Sequence, residues 1–255
     1  MSNLTPVVFV SHGAPSLALD SVMGADFARW GRALGEPTAI VVVSAHWERS
    51  PATVGTLEGR GLLYDFGGFD PSLRRVEYPA PGAPELAARV ADLLGGVRNE
   101  PTRSWDHGVW VPLVHMFPAA TVPLLQVSLP GAAGPRAVYD LGRALAPLRQ
   151  EGVLLMGSGG MVHNLARLDW THGSPPPSWA VEFDQWARAA IEGGDLEGLL
   201  HYRERAPAAD LAHPSAEHFL PLLFAVGAAG PGALATYPAR GFEYGSLART
   251  SVELA

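Results

Sequence analysis

The sequence predicts an α/β fold, a single domain in which helices flank a central, mainly parallel sheet. Three observations carry that expectation. Short, continuous runs of β-branched residues recur along the chain, and amphipathic stretches of helical period separate them. Hydrophobic residues make up 47% of the chain against 17% charged, enough to bury a sheet on both faces. The 255 residues contain no internal repeat, low-complexity tract or linker, so one domain over residues 1–255 is expected.

Residues 7–10 (VVFV) make the first expected strand, because the apolar run empties directly into the turn sequence SHGAPS. DFARWGRALG reads as a helix, and residues 40–43 (IVVV) as a second buried strand leading into SAHW. GGFDPSLRRVEYPAPGAP is the longest expected loop, and its aromatics and prolines mark it as ordered. APELAARVADLLGG is a clear helix. Leu86, Val90, Leu93 and Leu94 line one face, Pro84 suits the first turn and Gly95 ends it. WDHGVW reads as a turn. TVPLLQVSLP, residues 121–130, supplies a third strand, and RAVYDLGRALAPLRQ a helix with Val138, Leu141, Leu145 and Leu148 at helical spacing. VLLMGSGGMVHNL reads as strand, glycine turn and helix entry. WAVEFDQWARAAIEGG is a helix with Phe183, Trp186, Ala190 and Ile191 inward, and AEHFLPLLFAVGAAG is one that Pro221 must kink or shorten.

Several function classes are excluded early. The formal charge is −7 and no Lys/Arg cluster stands out, so no nucleic-acid partner is expected. The absence of cysteine removes disulfides, thiolate metal sites and cysteine nucleophiles. MSNLTPVVFV has neither the basic nor the long apolar region of a secretory signal. No apolar stretch approaches the roughly 18–20 residues of a membrane span. The expectation is a soluble, cytoplasmic protein that acts on a small molecule.

The histidines carry the chemistry. His12 and His46 each follow an apolar strand, where sites form in open α/β sheets. His163 follows the GSGG turn after another strand, and His107 stands between an acid and a glycine. Four histidines in strand-end or turn contexts point to a shared metal or catalytic site. Neutral imidazole binds zinc, iron, copper or nickel, and a site without thiolates draws on histidines and carboxylates. Glu48, Asp65, Asp106 and Glu217 are the carboxylates nearby in sequence. On a helix, Glu217 and His218 would point about 100° apart, so only one would face the site, and spacing does not say which. His213 is a candidate for the same cleft; His115, His172 and His201 have no supporting context. GSGG lacks the lysine of a P-loop, and Ser158 lacks the flanking spacing of a nucleophile elbow.

Eight stretches occur together and in order: SHGAPSLALD, VVVSAHWE, YDFGGFDPSLRRVEYPAPGAPELA, DHGVWVPLVHMFP, VPLLQVSLP, GSGGMVHNL, HPSAEHFLPLLFAVGAA and GFEYGSLARTS. Through them nearly the whole chain resembles the class III extradiol ring-cleavage dioxygenases of the LigB superfamily, in the branch that resembles DOPA 4,5-dioxygenases. The resemblance implies metal ligands at His12, His46 and His218, a catalytic acid/base at His163 and a second active-site histidine at His107. It departs from the protocatechuate-cleaving relatives, which use a glutamate as third ligand, so a divalent ion here keeps more positive charge. The resemblance further implies Fe(II) for activity, with Zn2+ possible as the bound ion, and a small aromatic diol and O2 as substrates. HGAPS and YDFGGF are expected to shape an aromatic pocket. Two other readings use the same residues: a zinc-dependent hydrolase, since three histidines and an open position also suit a zinc-bound hydroxide, and a non-catalytic metal-binding interaction protein.

Overall fold

The computed structural model describes residues 4–59, 61–171 and 173–255. Strand β1 (Val7–Ser11) leads to helix α1 (Ala25–Leu34), then β2 (Ala39–Glu48) and the two-residue β3 (Thr53–Val54). Helix α2 (Pro84–Leu94), β4 (Arg98–Asn99) and α3 (His107–Met116) follow. The next segment is β5 (Leu124–Leu129), α4 (Gly134–Leu145), β6 (Val153–Gly159) and α5 (Ser178–Glu192). Three short helical turns, α6 (Leu196–Leu200), α7 (Tyr202–Arg205) and α8 (Ala209–Ala212), lead to α9 (Leu220–Ala229). The chain closes on β7 (Ala235–Ala239), β8 (Phe242–Glu243), β9 (Leu247–Ala248) and β10 (Ser251–Leu254).

The expected α/β architecture is present. Eight strands form one sheet in the order β4-β3-β5-β2-β6-β1-β10-β7. Its centre, β5-β2-β6-β1, is parallel throughout. Antiparallel pairing is confined to the flanks, β3 with β5, β1 with β10 and β10 with β7. The continuous apolar runs have a physical cause: both faces of the sheet are covered. Val7, Phe9, Val41 and Val43 pack into a core with α4 and α9, whereas Val8, Val10, Ile40 and Val42 pack into a second core with α1 and α3. Successive residues of one strand serve opposite layers, as the two-residue strand period requires.

Departures from expectation lie at α3, after β6 and in the carboxyl-terminal strands, whereas Pro221 shortens α9 as expected. His107 opens α3, a buried helix, where the sequence suggests only a turn. This helix is apolar all round, so it lacks the polar stripe that identifies an amphipathic helix. After β6 the chain does not enter a helix; only a three-residue 3-10 turn, Leu165–Arg167, follows. Pro221 shortens α9 without kinking it, because the helix starts at Leu220 and proline fits its first turn. Glu217 and His218 consequently lie in the turn ahead of α9, not on the helix. The carboxyl-terminal strands β7 and β10 carry no clear strand signal, being short flank strands with polar residues. The long loop over residues 67–84 is ordered: it holds a 3-10 turn, Pro71–Arg75, and buries Leu73 and Tyr78. Among the described residues, no helix is long and apolar enough to cross a membrane.

One local feature sets the site. Gly157 and Gly159 lie on β6, where a Cβ would stand 2.1 Å from the carbonyl oxygens of Pro221 and His218 respectively. Only glycine lets the segment before α9 lie this close to the sheet, and that contact brings His218 to the end of β6.

Candidate active site

The strands β2, β6 and β1 are neighbours, and all end at one edge of the sheet. His12 follows β1 directly, and its backbone N–H donates to Gly159 O at 3.0 Å. His46 lies near the end of β2, where the pairing with β5 slips register between Ser44 and Glu48. Such an irregularity re-aims a side chain. His218 reaches the same point over Gly159. His12, His46, His107, His163 and His218 all line a single cavity of about 610 Å³. The sequence-predicted residues are therefore brought together, at the carboxyl ends of parallel strands.

Each of three imidazoles uses one nitrogen outward and leaves the other for the centre. His12 Nδ1 lies 3.0 Å from Ser158 Oγ, and that hydroxyl donates to Gly108 O. The hydroxyl proton is thus committed, so Ser158 accepts from His12 Nδ1–H and Nε2 carries a free lone pair. His218 Nδ1 lies 3.0 Å from Glu217 Oε1, and its Nε2 is buried with no hydrogen-bond partner. His46 Nδ1 stands 3.7 Å from Asp65 Oδ2. The Nε2 atoms of His12 and His46 face each other at 3.0 Å. Ligand atoms of His12, His46 and His218 all lie within 4.8 Å of one another. Two imidazoles on one ion at about 2.0–2.1 Å require a similar nitrogen separation. His12 Nε2 offers a lone pair and His218 Nε2 is buried without a partner, and with its proton on Nδ1 His46 Nε2 offers a third; a divalent cation would take all three in place of the His12–His46 contact. The residues fit a metal.

The charge states agree. Burial, and then neighbouring His46, hold the His12 pKa well below the ordinary value. Burial, followed by His107, pushes His46 down to about 4, although Asp106 and Asp65 pull the other way. His218 is lowered well below its usual value by burial and by His163. Neutral imidazole is the form that binds a metal.

His163 lies flat against His218, with ring centroids 3.4 Å apart and planes within 5°. Burial and then His213 push its pKa down to about 3, so at neutral pH it carries no proton beyond its neutral form. His107 donates through both its backbone N–H (3.1 Å) and Nδ1 (2.8 Å) to Asp65 Oδ1. In the neutral imidazole this leaves His107 Nε2 as the acceptor. Burial acts to raise the Asp65 pKa, but the bond from His107 and its charge outweigh that and lower it.

Other candidates are placed elsewhere. His213 is fully buried, hydrogen-bonded through Nε2 to Met161 O at 3.0 Å and packed among Phe183, Tyr202 and Phe219. It lies behind the cavity and does not line it. His115 bonds Leu17 O, and His201 is exposed beside Glu204; His172 lies outside the described residues. Glu48 does not line the cavity. Asp106 is buried beneath it, accepting from Ser44 Oγ at 2.7 Å and Arg103 Nη2 at 2.8 Å. Because Arg103 also donates to His46 O at 3.0 Å, this pair braces the end of β2. Ser158 is engaged by His12 and Gly108 and is no nucleophile.

The sequence pointed to an aromatic contribution from YDFGGF, and Phe66 and Phe69 do line the cavity. Trp170 and Tyr244 also line it and were missed. Tyr244 carries a signal only in its closing motif; Trp170 stands in a polar loop with none.

The chain matches the family described as the catalytic LigB subunit of aromatic ring-opening dioxygenase over residues 11–252. It is 40% identical over 242 residues to the 4,5-DOPA dioxygenase extradiol of Beta vulgaris, covering 89% of this chain and 88% of that protein. It is 36% identical over 260 residues to the protein of the same name from Escherichia coli (strain K12), covering 99% and 96%. A crystal structure of an uncharacterized Escherichia coli K12 protein superposes with a TM-score of 0.84 at 34% identity, covering 98% of this chain and 100% of the other.

Proposed function

The chain belongs to the LigB family of aromatic ring-opening dioxygenases, and from that membership we propose how its own residues conduct the reaction. It is a metal-dependent extradiol ring-cleaving dioxygenase, an oxidoreductase. The metal in our reading is Fe(II), held by His12, His46 and His218, with Zn2+ able to occupy the same imidazoles. The carrying observation is the Nε2 cluster, whose outward nitrogens lie near Ser158, Asp65 and Glu217. Outer partners of this kind fix tautomer and ring orientation.

Iron(II) held by His12, His46 and His218 would supply the redox chemistry that lets a catechol react with O2. The protein residues then act on the diol. Its hydroxyls titrate well above neutrality, so one must surrender a proton on binding. His163 is neutral and fixed against His218, so it has room for that proton; because burial disfavours its charged form, it is a weak base that readily returns the proton as the ring opens. His107, its Nδ1–H committed to Asp65, accepts a hydrogen bond from the substrate through Nε2. Phe66, packed edge-on to His107 with centroids 5.8 Å apart, forms an apolar wall of the cavity beside it. The substrate is a catechol, DOPA-like or a related aromatic diol. Nothing in the site favours a hydrolase or a non-catalytic binder.

The test is anaerobic loading with Fe(II), followed by oxygen uptake with a panel of catechols and detection of a coloured ring-opened semialdehyde. Uptake matched by semialdehyde is expected, and no uptake with any catechol overturns the proposal. His12→Ala should abolish stoichiometric metal binding. A crystal structure with Glu217 on the metal and His218 turned away would replace the ligand set.

A further inference from the structure

His213 is fully buried and has no part in the chemistry above. Its ring is enclosed by Phe183, Phe219 and Tyr202, with centroids 5.1, 5.2 and 6.3 Å away. An apolar side chain would fill such a nest without stripping two ring nitrogens of water, which is costly unless bonds replace the water. One bond does: Nε2 lies 3.0 Å from Met161 O, whereas Nδ1 is buried with no hydrogen-bond partner. A carbonyl only accepts, so in the neutral ring Nε2 carries the proton and Nδ1 is bare. Burial is the largest influence on this ring and pushes its pKa down to about 4, in keeping with that neutral form.

The bond lands two residues before His163. Residues 160–164 are neither helix nor strand, so their polar groups find partners elsewhere in the chain. Gly160 N donates to His218 O at 2.9 Å, and His163 N to Ala212 O at 3.0 Å. Met161 N donates to Ser11 Oγ at 3.0 Å, and Asn164 Nδ2 to Leu211 O at 2.7 Å. Val162 O accepts from Ala248 N at 3.2 Å. For Met161 O, the donor found among the described residues is His213 Nε2–H.

Four of these bonds join residues 160–164 to one stretch, residues 211–218. That stretch also carries His218, against which His163 lies with ring centroids 3.4 Å apart. The separation of the two rings is thus set by how one segment is fastened to the other. His213 is itself fixed, its N–H donating to Ala209 O at 2.8 Å and its carbonyl accepting from Arg203 Nη1 at 3.3 Å. Of the four bonds, the His213 bond is the one made by a side chain of the outer stretch, so substitution removes it without altering the segment that bears His163.

We propose that His213 is a positioning residue for His163: its Nε2–H, bonded to Met161 O, holds the segment that keeps the His163 ring against His218. It touches neither substrate nor metal and acts through the main chain of residues 161–163. The effect on turnover rests on the acid/base role given to His163 above; the effect on where the His163 ring lies does not.

The test reads placement apart from turnover. NMR of the Zn2+-loaded protein with isotope-labelled histidine gives the ring tautomers, and the signals are assigned from His163→Ala and His213→Leu. In the wild type we expect His213 protonated at Nε2 and bare at Nδ1, and the His163 ring protons shifted upfield by the stacked His218 ring. His213→Leu and His213→Phe should lose that upfield shift, and His213→Gln, whose amide can donate to Met161 O, should keep it. With Fe(II) and a catechol, the two apolar variants should lose about 10–100-fold in kcat, the scale of a small misplacement, with KM nearly unchanged and His213→Gln restoring most of the rate. In a His163→Ala background, His213→Leu should cost little more, because both changes remove one function. A wild-type His213 protonated at Nδ1 overturns the proposal, and this reading needs no variant to fold. An unmoved His163 signal in His213→Leu or His213→Phe overturns it too, as does a His213→Gln no better than the apolar variants. If the His163 signal moves but His163→Ala turns over like the wild type, the positioning stands and the acid/base reading fails.

Discussion

Ser158 and His12 stand 146 residues apart in sequence, and the 3.0 Å bond between them decides which imidazole nitrogen is free. Ser158→Ala removes the acceptor of His12 Nδ1–H and leaves Gly108 O without its donor. Metal affinity should fall about 10–100-fold, the usual effect of losing such an outer partner, while the fold persists. Competition with a chelator of known affinity measures it; unchanged affinity rules out a tautomer role for the serine. His163→Ala is expected to retain one metal per chain and lose about 10²–10⁴-fold in turnover, since only proton transfer is removed. Metal analysis beside oxygen uptake distinguishes the two effects. If turnover matches the wild type, His107 becomes the first candidate for the proton transfer.

Strand β6 and the segment leading into α9 meet without intervening side chains. Gly159→Ala would place a methyl 2.1 Å from His218 O, and Gly157→Ala one 2.1 Å from Pro221 O. The contacting atoms are backbone, so relief requires moving the turn that carries His218. Overpacking of this kind costs about 1–3 kcal/mol. Gly159→Ala should show that loss in urea unfolding and, in addition, reduced metal content. Stability loss with full metal occupancy would mean that the turn moves without carrying His218 away. Residues 160–164 need no helix to present His163, because His163 N bonds Ala212 O at 3.0 Å and α8 anchors the loop.

Across the molecule, burial holds neutral a set of histidines that would protonate in the unfolded chain. His46 and His213 are lowered to about 4, His163 to about 3, and His12 and His218 well below the ordinary value. Burial is the largest cause in every case. A folded-state pKa below the unfolded value of about 6.5 means that the unfolded chain takes up protons first as pH falls. The metal-free protein should therefore have its full histidine-linked stability above about pH 6.5 and lose it progressively as pH drops toward about 4. Each histidine contributes a slope of at most about 1.4 kcal/mol per pH unit. Urea unfolding of the chelated protein at stepped pH measures the trend, and a flat profile between about pH 7 and about pH 5 would contradict it.

The strands β1, β2, β5 and β6 and the helices α2, α4 and α5 were legible in the sequence because each is determined by its own pattern: continuous apolar runs buried on both faces, or apolar residues at helical period. The strand-end histidines were legible for a related reason, since a buried strand must end at an edge of the sheet and parallel strands share that edge. Helix α3 was not legible, because burial on all sides removes the amphipathic contrast. Strands β7 and β10 were not: β10 is a short strand whose partner lies at the other end of the chain, Phe9 pairing with Val252, and β7 joins the sheet only through β10. The same limit governs the site. Spacing alone could not choose between Glu217 and His218, and left His213 as a candidate for the same cleft. Tertiary structure separated them. Gly159 lets the turn bearing His218 reach the cavity, Glu217 turns to its Nδ1, and His213 is enclosed by Phe183, Tyr202 and Phe219. The Asp65–His107 bond and the Trp170–Tyr244 contact likewise join residues 42 and 74 positions apart. Local pattern determines which segments are buried and where they end; the direction of a side chain at that end depends on contacts that only the assembled layers create.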